Sequence, residues 1–423
     1  LNGLGQSRIV IHIACMAKRC DALIVGGGLN GCTMALALAR AGLSATVIDR
    51  TRPDDSRKPG FDGRGYALAL ASKKMLEALG IWNRAADRAQ SILKIIVTDG
   101  RAGDGPSPLL LEFDHAELDE GPVGFMLEDR HLRRILNEAL AECPDVTRLH
   151  GHNVVAHEVT DCDVCAELDN GGTARGTVLI AADGQNSAIA HREGITHSGW
   201  SYRQTSLVCA IRHERPHKGT AHQFFMPGGP LALLPLPGNR TSIVWTESSR
   251  TAERIQMMEG DGYIDALRPA VGGFLGEIQL EGARYSYPLA LSVANRFAKR
   301  RVALIGDAAH RVHPLAGQGL NAGLKDVGAL VEVLVQAHRR GEDIGALDVI
   351  ERYQRWRRFD TATLAAATDS LNRLFSNDDG LVRSLRDIGM GVVNAVPALR
   401  RGLMREAAGL TGDLPRLLQG RPI

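Results

Sequence analysis

The sequence predicts an α/β protein: a Rossmann-like dinucleotide-binding layer, an antiparallel sheet inserted into it, and a helical C-terminal region. Three observations lead there. A glycine-spaced βαβ unit opens the chain at "DALIVGGGLNGCTMALALARAGLSATVIDR"; short alternating apolar runs separated by Gly and Pro fill Ser201 to Glu247; and the C-terminal part repeats its apolar positions at helical spacing.

In the opening unit, Ala22–Val25 read as a buried strand, Cys32–Arg40 as a helix, and Ala45–Ile48 as a second strand closed by Asp49. Gly26, Gly28 and Gly31 fill a GxGxxG pattern. The first permits the turn, the second lets backbone approach a pyrophosphate, and the third brings helix against strand. The helix N-terminus offers unpaired N–H groups to the phosphates. Asp49 is placed to accept hydrogen bonds from ribose hydroxyls, and its charge argues against a phosphorylated ribose. The motif alone serves FAD and NAD equally.

A polar segment containing Arg64 follows, where a guanidinium can grip a diphosphate bidentately or simply be solvated. Met75, Leu76 and Leu79 mark a helix after it, and "LEDRHLRRILNEAL" marks another. The strands in "NVVAHEVT" and "CDVCAELDNGGTARGTVLIAADG" include a turn at Asn170–Gly171 and end beside a carboxylate, Asp183. Four strands are expected from "QTSLVCAIRH", "HQFFMP", "LALLPLPG" and "TSIVWTE", then helices over Ala252–Met258 and Tyr263–Ala270. A strand over Val302–Ile305 runs into "GDAAHRVHPLAGQGLNAGL".

The 423 residues, 44% of them hydrophobic, suffice for a substantial core in a soluble globular protein. Lys and Arg total 50 against 48 acidic residues, which gives no argument for nucleic acid as a partner. Seven irregularly spaced cysteines suit reduced thiols in a cytosol. Cys162 and Cys165 read as two strand residues, since a zinc site needs four ligands. Ala22–Ala39 is uncharged, yet its glycines read as a turn rather than a membrane span. Residues 1–15 read as an upstream or disordered extension.

The GxGxxG unit, the "ADG" segment at Asp183 and the "GDAAH…P..GQG.N.G" segment together resemble the FAD-dependent aromatic hydroxylases of the p-hydroxybenzoate hydroxylase fold. "GPLALLPLPGNRTSIVWT" and "GDAAHRVHPLAGQGLNAGLKDV" look most like the ubiquinone-biosynthesis hydroxylases of the octaprenyl-phenol type. The resemblance runs from about Asp21 to the C-terminus. It implies FAD, NAD(P)H or a carrier protein as transient reductant, and oxygen insertion through a flavin hydroperoxide into a polyprenylated phenol or quinone precursor. It also implies that Asp307 holds the FAD ribityl chain, beside Gly306.

On that reading Pro314 stiffens the turn, Gly317 and Gly319 leave room for the flavin ring, and a helix starting near Leu320 points its positive end at the ring. Asn321 adds a donor. His310 hydrogen-bonds near the cofactor, with a purely structural role for either histidine as the alternative; a metal role for His310 and His313 is set aside because no third ligand is adjacent and Pro314 disfavours the helix that their spacing requires. The sequence assigns no catalytic acid or base. Phe224, Phe225, Leu233, Leu234 and Trp245 are candidate pocket or core residues, about half of which alternation sends to each face.

The expected division is an FAD-binding part over 16–80, 126–190 and 295–345, a substrate-binding sheet part over 81–125 and 191–294, and a helical region over 346–423. From Leu381 on, arginines outnumber acids in amphipathic style, which fits a peripheral membrane surface or a biosynthetic complex. Two further classes stay open: a flavin hydroxylase of a soluble aromatic, and a non-catalytic flavin-binding subunit.

Overall fold

The computed structural model describes residues 19–52, 61–99, 110–375, 391 and 393–423. The expected extension at 1–15 and the start of the amphipathic segment at Leu381 lie outside them.

β1 (Cys20–Val25) is almost wholly buried because it is an inner strand of a parallel sheet covered on both faces. β2 (Ala45–Asp49) and the strand Thr173–Ala181 pair parallel to it on either side. Val146–His150 extends the sheet beyond β2, and Val302–Leu304 extends it beyond Thr173–Ala181. The crossover is α1 (Leu29–Arg40), which starts at Leu29, ahead of the Cys32 expected from periodicity. Its Met34, Leu36 and Leu38 are fully buried.

β3 (Gly65–Ala69) leads directly into α2 (Leu70–Ala78) and forms a small sheet with Gly124–Glu128 and Gln90–Ile92. This sheet straddles the expected boundaries near 80 and 125.

The second large sheet is mostly antiparallel and runs, in spatial order, His310–Arg311, Ile278–Ala294, His197–His213, Arg240–Ser248, Gly229–Leu236, Thr220–Met226, Lys94–Asp99, Leu110–Asp114. The four strands expected in the middle of the chain are all in it. Helices Ser249–Gln256 and Gly260–Val271 cover one face, burying Leu207, Ile243 and Leu267. The other face sends Ala210 and Leu236 against Met126 of the small sheet.

Two long helices tie the layers together. Gln318–Arg339 packs on α1, and Leu347–Phe375 packs on Gln318–Arg339. Along the latter, Arg357, Thr361, Ala365, Thr368 and Asn372 are buried at three- and four-residue spacing, the stripe of a helix with one covered face. Cys165 lies in the strand Val164–Leu168; Cys162 does not share it, but sits exposed in the turn before it.

Candidate functional site

The site gathers at the C-terminal ends of the parallel strands, where such sheets place their ligands. Gly26 follows β1 with φ +106°, a conformation that any Cβ would strain, and a side chain there would overlap Ala182 O. A Cβ on Gly31 would overlap the carbonyl oxygen of Gly26, so the third glycine is what lets helix meet turn. Gly28 is different: it is the N-cap of α1, and no atom lies within 4 Å of where its Cβ would be. Open space before a helix N-terminus suits an anion such as a diphosphate.

Asp49 ends β2, and its carboxylate accepts the N–H of Gly27 and, at 2.6 Å, that of Thr51. A carboxylate has about four acceptor positions, so capacity remains for ribose hydroxyls. Cys32 lies in the first turn of α1, its thiol pushed up to about 11 by burial and by Asp49, which keeps it protonated and inert.

Asp183 follows the strand Thr173–Ala181. Its Oδ2 accepts Ile189 N at 3.3 Å, while its buried Oδ1 has no protein hydrogen-bond partner. Gly306 and Asp307 follow the neighbouring strand Val302–Leu304. Asp307 is exposed as a residue, yet its carboxylate is crowded enough that desolvation raises its carboxyl; His310 and Arg311 oppose that rise and Asp326 adds to it.

The second glycine-rich segment builds a second helix N-terminus. Pro314 opens a short turn, Leu315–Gly317, and Gly317, at φ +64°, caps the helix, which begins at Gln318 rather than near Leu320. Gly319, in the first turn, is exposed with nothing within 4 Å of its Cβ position.

One expectation is corrected, and one residue is more constrained than its sequence suggests. Asn321 has no amide hydrogen to spare: it donates to Ala67 O at 2.8 Å and Gly317 O at 3.1 Å, and accepts from Ala69 N at 2.9 Å and Ser72 Oγ at 2.7 Å. It is the pin joining β3 and α2 to the cap of the second helix. Arg64 is not a free loop cation, because Asp62 holds it at 2.7 Å, Asp129 lies 3.4 Å away, and its guanidinium lies over Tyr285. The neighbouring carboxylates raise its pKa further against the cost of burial.

Sequence reading passed over Arg133 and Arg148. Both oppose the rise of the Cys32 thiol electrostatically, so their positive charge acts on the first turn of α1. Arg133 is braced by Asp129 at 2.8 Å, one turn earlier, and that i, i+4 pair in "DRHLR" was the available signal. Of the five aromatic and aliphatic candidates, Phe224, Leu233 and Trp245 pack under the covering helices. Phe225 faces the other way and stacks on Phe375 at 3.8 Å, against Leu315 of the glycine-rich loop. Leu234 is on that side too.

Two helix N-termini, a carboxylate at Asp49 with acceptor capacity to spare, two further carboxylates at adjacent strand ends and an orphaned Asp183 oxygen fit a long dinucleotide with a polyol in its middle. That is the shape of FAD, and it defines the class as a flavoprotein. The family described as "FAD binding domain" matches residues 19–363. Ubiquinone hydroxylase UbiL of Rhodospirillum rubrum is 42% identical over 96% of this chain and 94% of its own length. The 3-demethoxyubiquinol 3-hydroxylase of Escherichia coli is 33% identical over 92% of this chain and 98% of its own. The crystal structure of p-nitrophenol 4-monooxygenase PnpA from Pseudomonas putida shares the fold, with TM-score 0.79 at 21% identity over 94% of this chain and 99% of that one. The chain belongs to the FAD-binding monooxygenase family that includes the ubiquinone hydroxylases.

Proposed function

We propose that this protein hydroxylates the aromatic ring of a polyprenylated phenol or quinone precursor in ubiquinone biosynthesis. The carrying observation is the whole-length relationship to the Rhodospirillum rubrum ubiquinone hydroxylase. FAD, when bound, supplies the activation of dioxygen.

The chain's own residues bind, orient and exclude. The turn at Gly26–Gly28 and the start of α1 hold the diphosphate, with Arg64, Arg133 and Arg148 as nearby countercharge. Asp49 takes the ribose, and Asp307 with Asp183 takes the ribityl hydroxyls. The N-terminus of the helix Gln318–Arg339, capped by Gly317, would lie toward the ring system, where its dipole would stabilise negative charge. Phe225, Leu315 and Phe375 form an apolar wall that keeps water from the reacting centre. The protein needs no covalent nucleophile of its own, because the electron-rich ring of the substrate attacks.

NAD(P)H is the proposed reductant, bound transiently, since the sequence offers no second nucleotide motif. Membrane association is the proposed means of reaching a lipid substrate. No helix among the described residues is long and apolar enough to cross a membrane. The helix Pro397–Ala407 instead exposes Leu399 and Leu403 with arginines alongside, an interfacial pattern.

The test is to express the chain in a bacterium lacking one ring hydroxylase and profile its lipid quinones by mass spectrometry. Restored ubiquinone with loss of the precursor lacking one oxygen is expected. Failure in strains lacking each ring hydroxylase in turn, alongside turnover of a tail-free phenol by purified protein, moves the assignment to a soluble aromatic.

A further inference from the structure

Asp307 sits on a short turn between Gly306 and His310, and both ends of that turn meet one atom. Oδ2 of Asp326, two turns into the helix Gln318–Arg339, accepts Gly306 N–H at 2.9 Å and lies 2.6 Å from His310 Nε2. An ionised carboxylate only accepts, so Nε2 carries the proton. The other oxygen, Oδ1, accepts Arg357 Nε at 2.8 Å from the helix Leu347–Phe375, and Arg357 continues to Asp360 at 2.8 Å.

This cluster is sealed: Asp326 is 0% exposed, Arg357 2% and His310 3%. Burial by itself would raise the Asp326 carboxyl, but His310 and Arg357 outweigh it and hold the group below the ordinary carboxylate range. Buried charges persist only where they are paired and hydrogen-bonded this completely. Just ahead of the turn, Tyr353 Oη donates to Leu304 O at 2.7 Å, so the second long helix grips the strand end as well.

We propose that Asp326 is a positioning residue for FAD: with His310 and Arg357 it staples the Asp307 turn to the helix whose N-terminus faces the flavin ring. This rests on the reading of Asp307 as the ribityl ligand. The staple fixes the separation between the carboxylate that holds the middle of the cofactor and the helix end that faces its ring. Gly306 and Gly323 pack against the Asn30 side chain at the start of α1, but none of the staple's hydrogen bonds goes to the turn at Gly26–Gly28, where the ADP half binds on the same reading.

That asymmetry supplies the test, because a loosened staple weakens FAD without weakening ADP. FAD affinity of the full-length apoprotein is measured by flavin fluorescence, and ADP affinity by calorimetry. His310→Leu removes the Nε2 donor and is expected to weaken FAD about tenfold or more, equivalent to at least ~1.4 kcal/mol, with ADP affinity unchanged. His310→Gln restores a donor and is expected to recover most of the FAD affinity. If His310→Leu does not fold, Arg357→Lys carries the same comparison, since lysine keeps the charge and loses the fork between Asp326 and Asp360.

Equal losses for FAD and ADP, or no loss for either, overturn the staple. Asp307→Ala separates the two claims. If it leaves FAD affinity intact, the reading of Asp307 fails. If it weakens FAD while the His310 and Arg357 variants do not, only the staple fails.

Discussion

The carboxylate of Asp49, at the end of β2, accepts the backbone N–H of Gly27 in the turn after β1, so the proposed ribose acceptor and the glycine turn are locked together. Removing the carboxylate therefore acts twice. Asp49→Ala is expected to raise the FAD dissociation constant on the order of 10- to 100-fold, the worth of charge-assisted hydrogen bonds at ~1.5–3 kcal/mol. A fluorescence titration showing unchanged affinity would take Asp49 out of the site.

The glycines of the motif divide by what surrounds them. Gly31→Ala drives a methyl into Gly26 O and is expected to cost about 1–3 kcal/mol of stability together with FAD binding. Gly28→Ala meets nothing within 4 Å, at an ordinary φ of −68°, so stability should stay within ~0.5 kcal/mol while FAD affinity falls. Urea denaturation of both apoproteins checks the contrast; equal destabilisation would refute it.

His313 is 0% exposed, and neither ring nitrogen has a protein partner; Tyr202 packs edge-on at 5.1 Å, and Asp369, itself paired with Arg373 at 2.9 Å, lies nearby. Burial lowers its pKa to about 4, with Asp369 opposing. A histidine depressed below its unfolded value of about 6.5 binds its proton more readily when unfolded. Its contribution to stability is therefore complete above that pH and declines as pH falls toward 4, by on the order of 3 kcal/mol in full. His313→Leu should flatten this acid limb and, by removing an unsatisfied buried group, raise the melting temperature at pH 7. Thermal melts of both proteins from pH 7 to 4.5 that stay parallel would count against this account.

Asn321 uses all four of its hydrogen-bonding positions across β3, α2 and the cap at Gly317. Asn321→Leu leaves the Ala69 N–H and the Ala67 and Gly317 carbonyls to find other partners and should cost about 2–4 kcal/mol. Because the cap at Gly317 loosens with it, FAD should dissociate faster. A variant with wild-type stability would show that water replaces the amide.

The opening unit was legible in its elements and order, with strand and helix starts two or three residues early in the structure, because each of its signals is local. A buried strand, a turn that only glycine can make and an acid at the next strand end lie within one stretch of chain. The partition of Phe224 and Phe225 was not legible. Alternation says that they face opposite ways, but which one meets the glycine-rich loop depends on which face the helices Ser249–Gln256 and Gly260–Val271 cover. Arg64 was half legible: a guanidinium in that segment was readable, while its clamps were not, since Asp129 comes from a different strand–helix junction. Asp326 gave no signal that set it apart from any other helical aspartate.

The sequence by itself determined the parallel layer, the inserted sheet, the two glycine-built helix starts and the flavin chemistry that they suit, because each depends on residues adjacent in the chain. Only the tertiary structure decided that Asn321 is a structural pin, that Arg64 is held between carboxylates, and that Asp326 grips both ends of the Asp307 turn. Those roles are made by hydrogen bonds between distant segments. A side chain's donors and acceptors are spent on whatever packing brings within 3 Å, and chain order does not specify that.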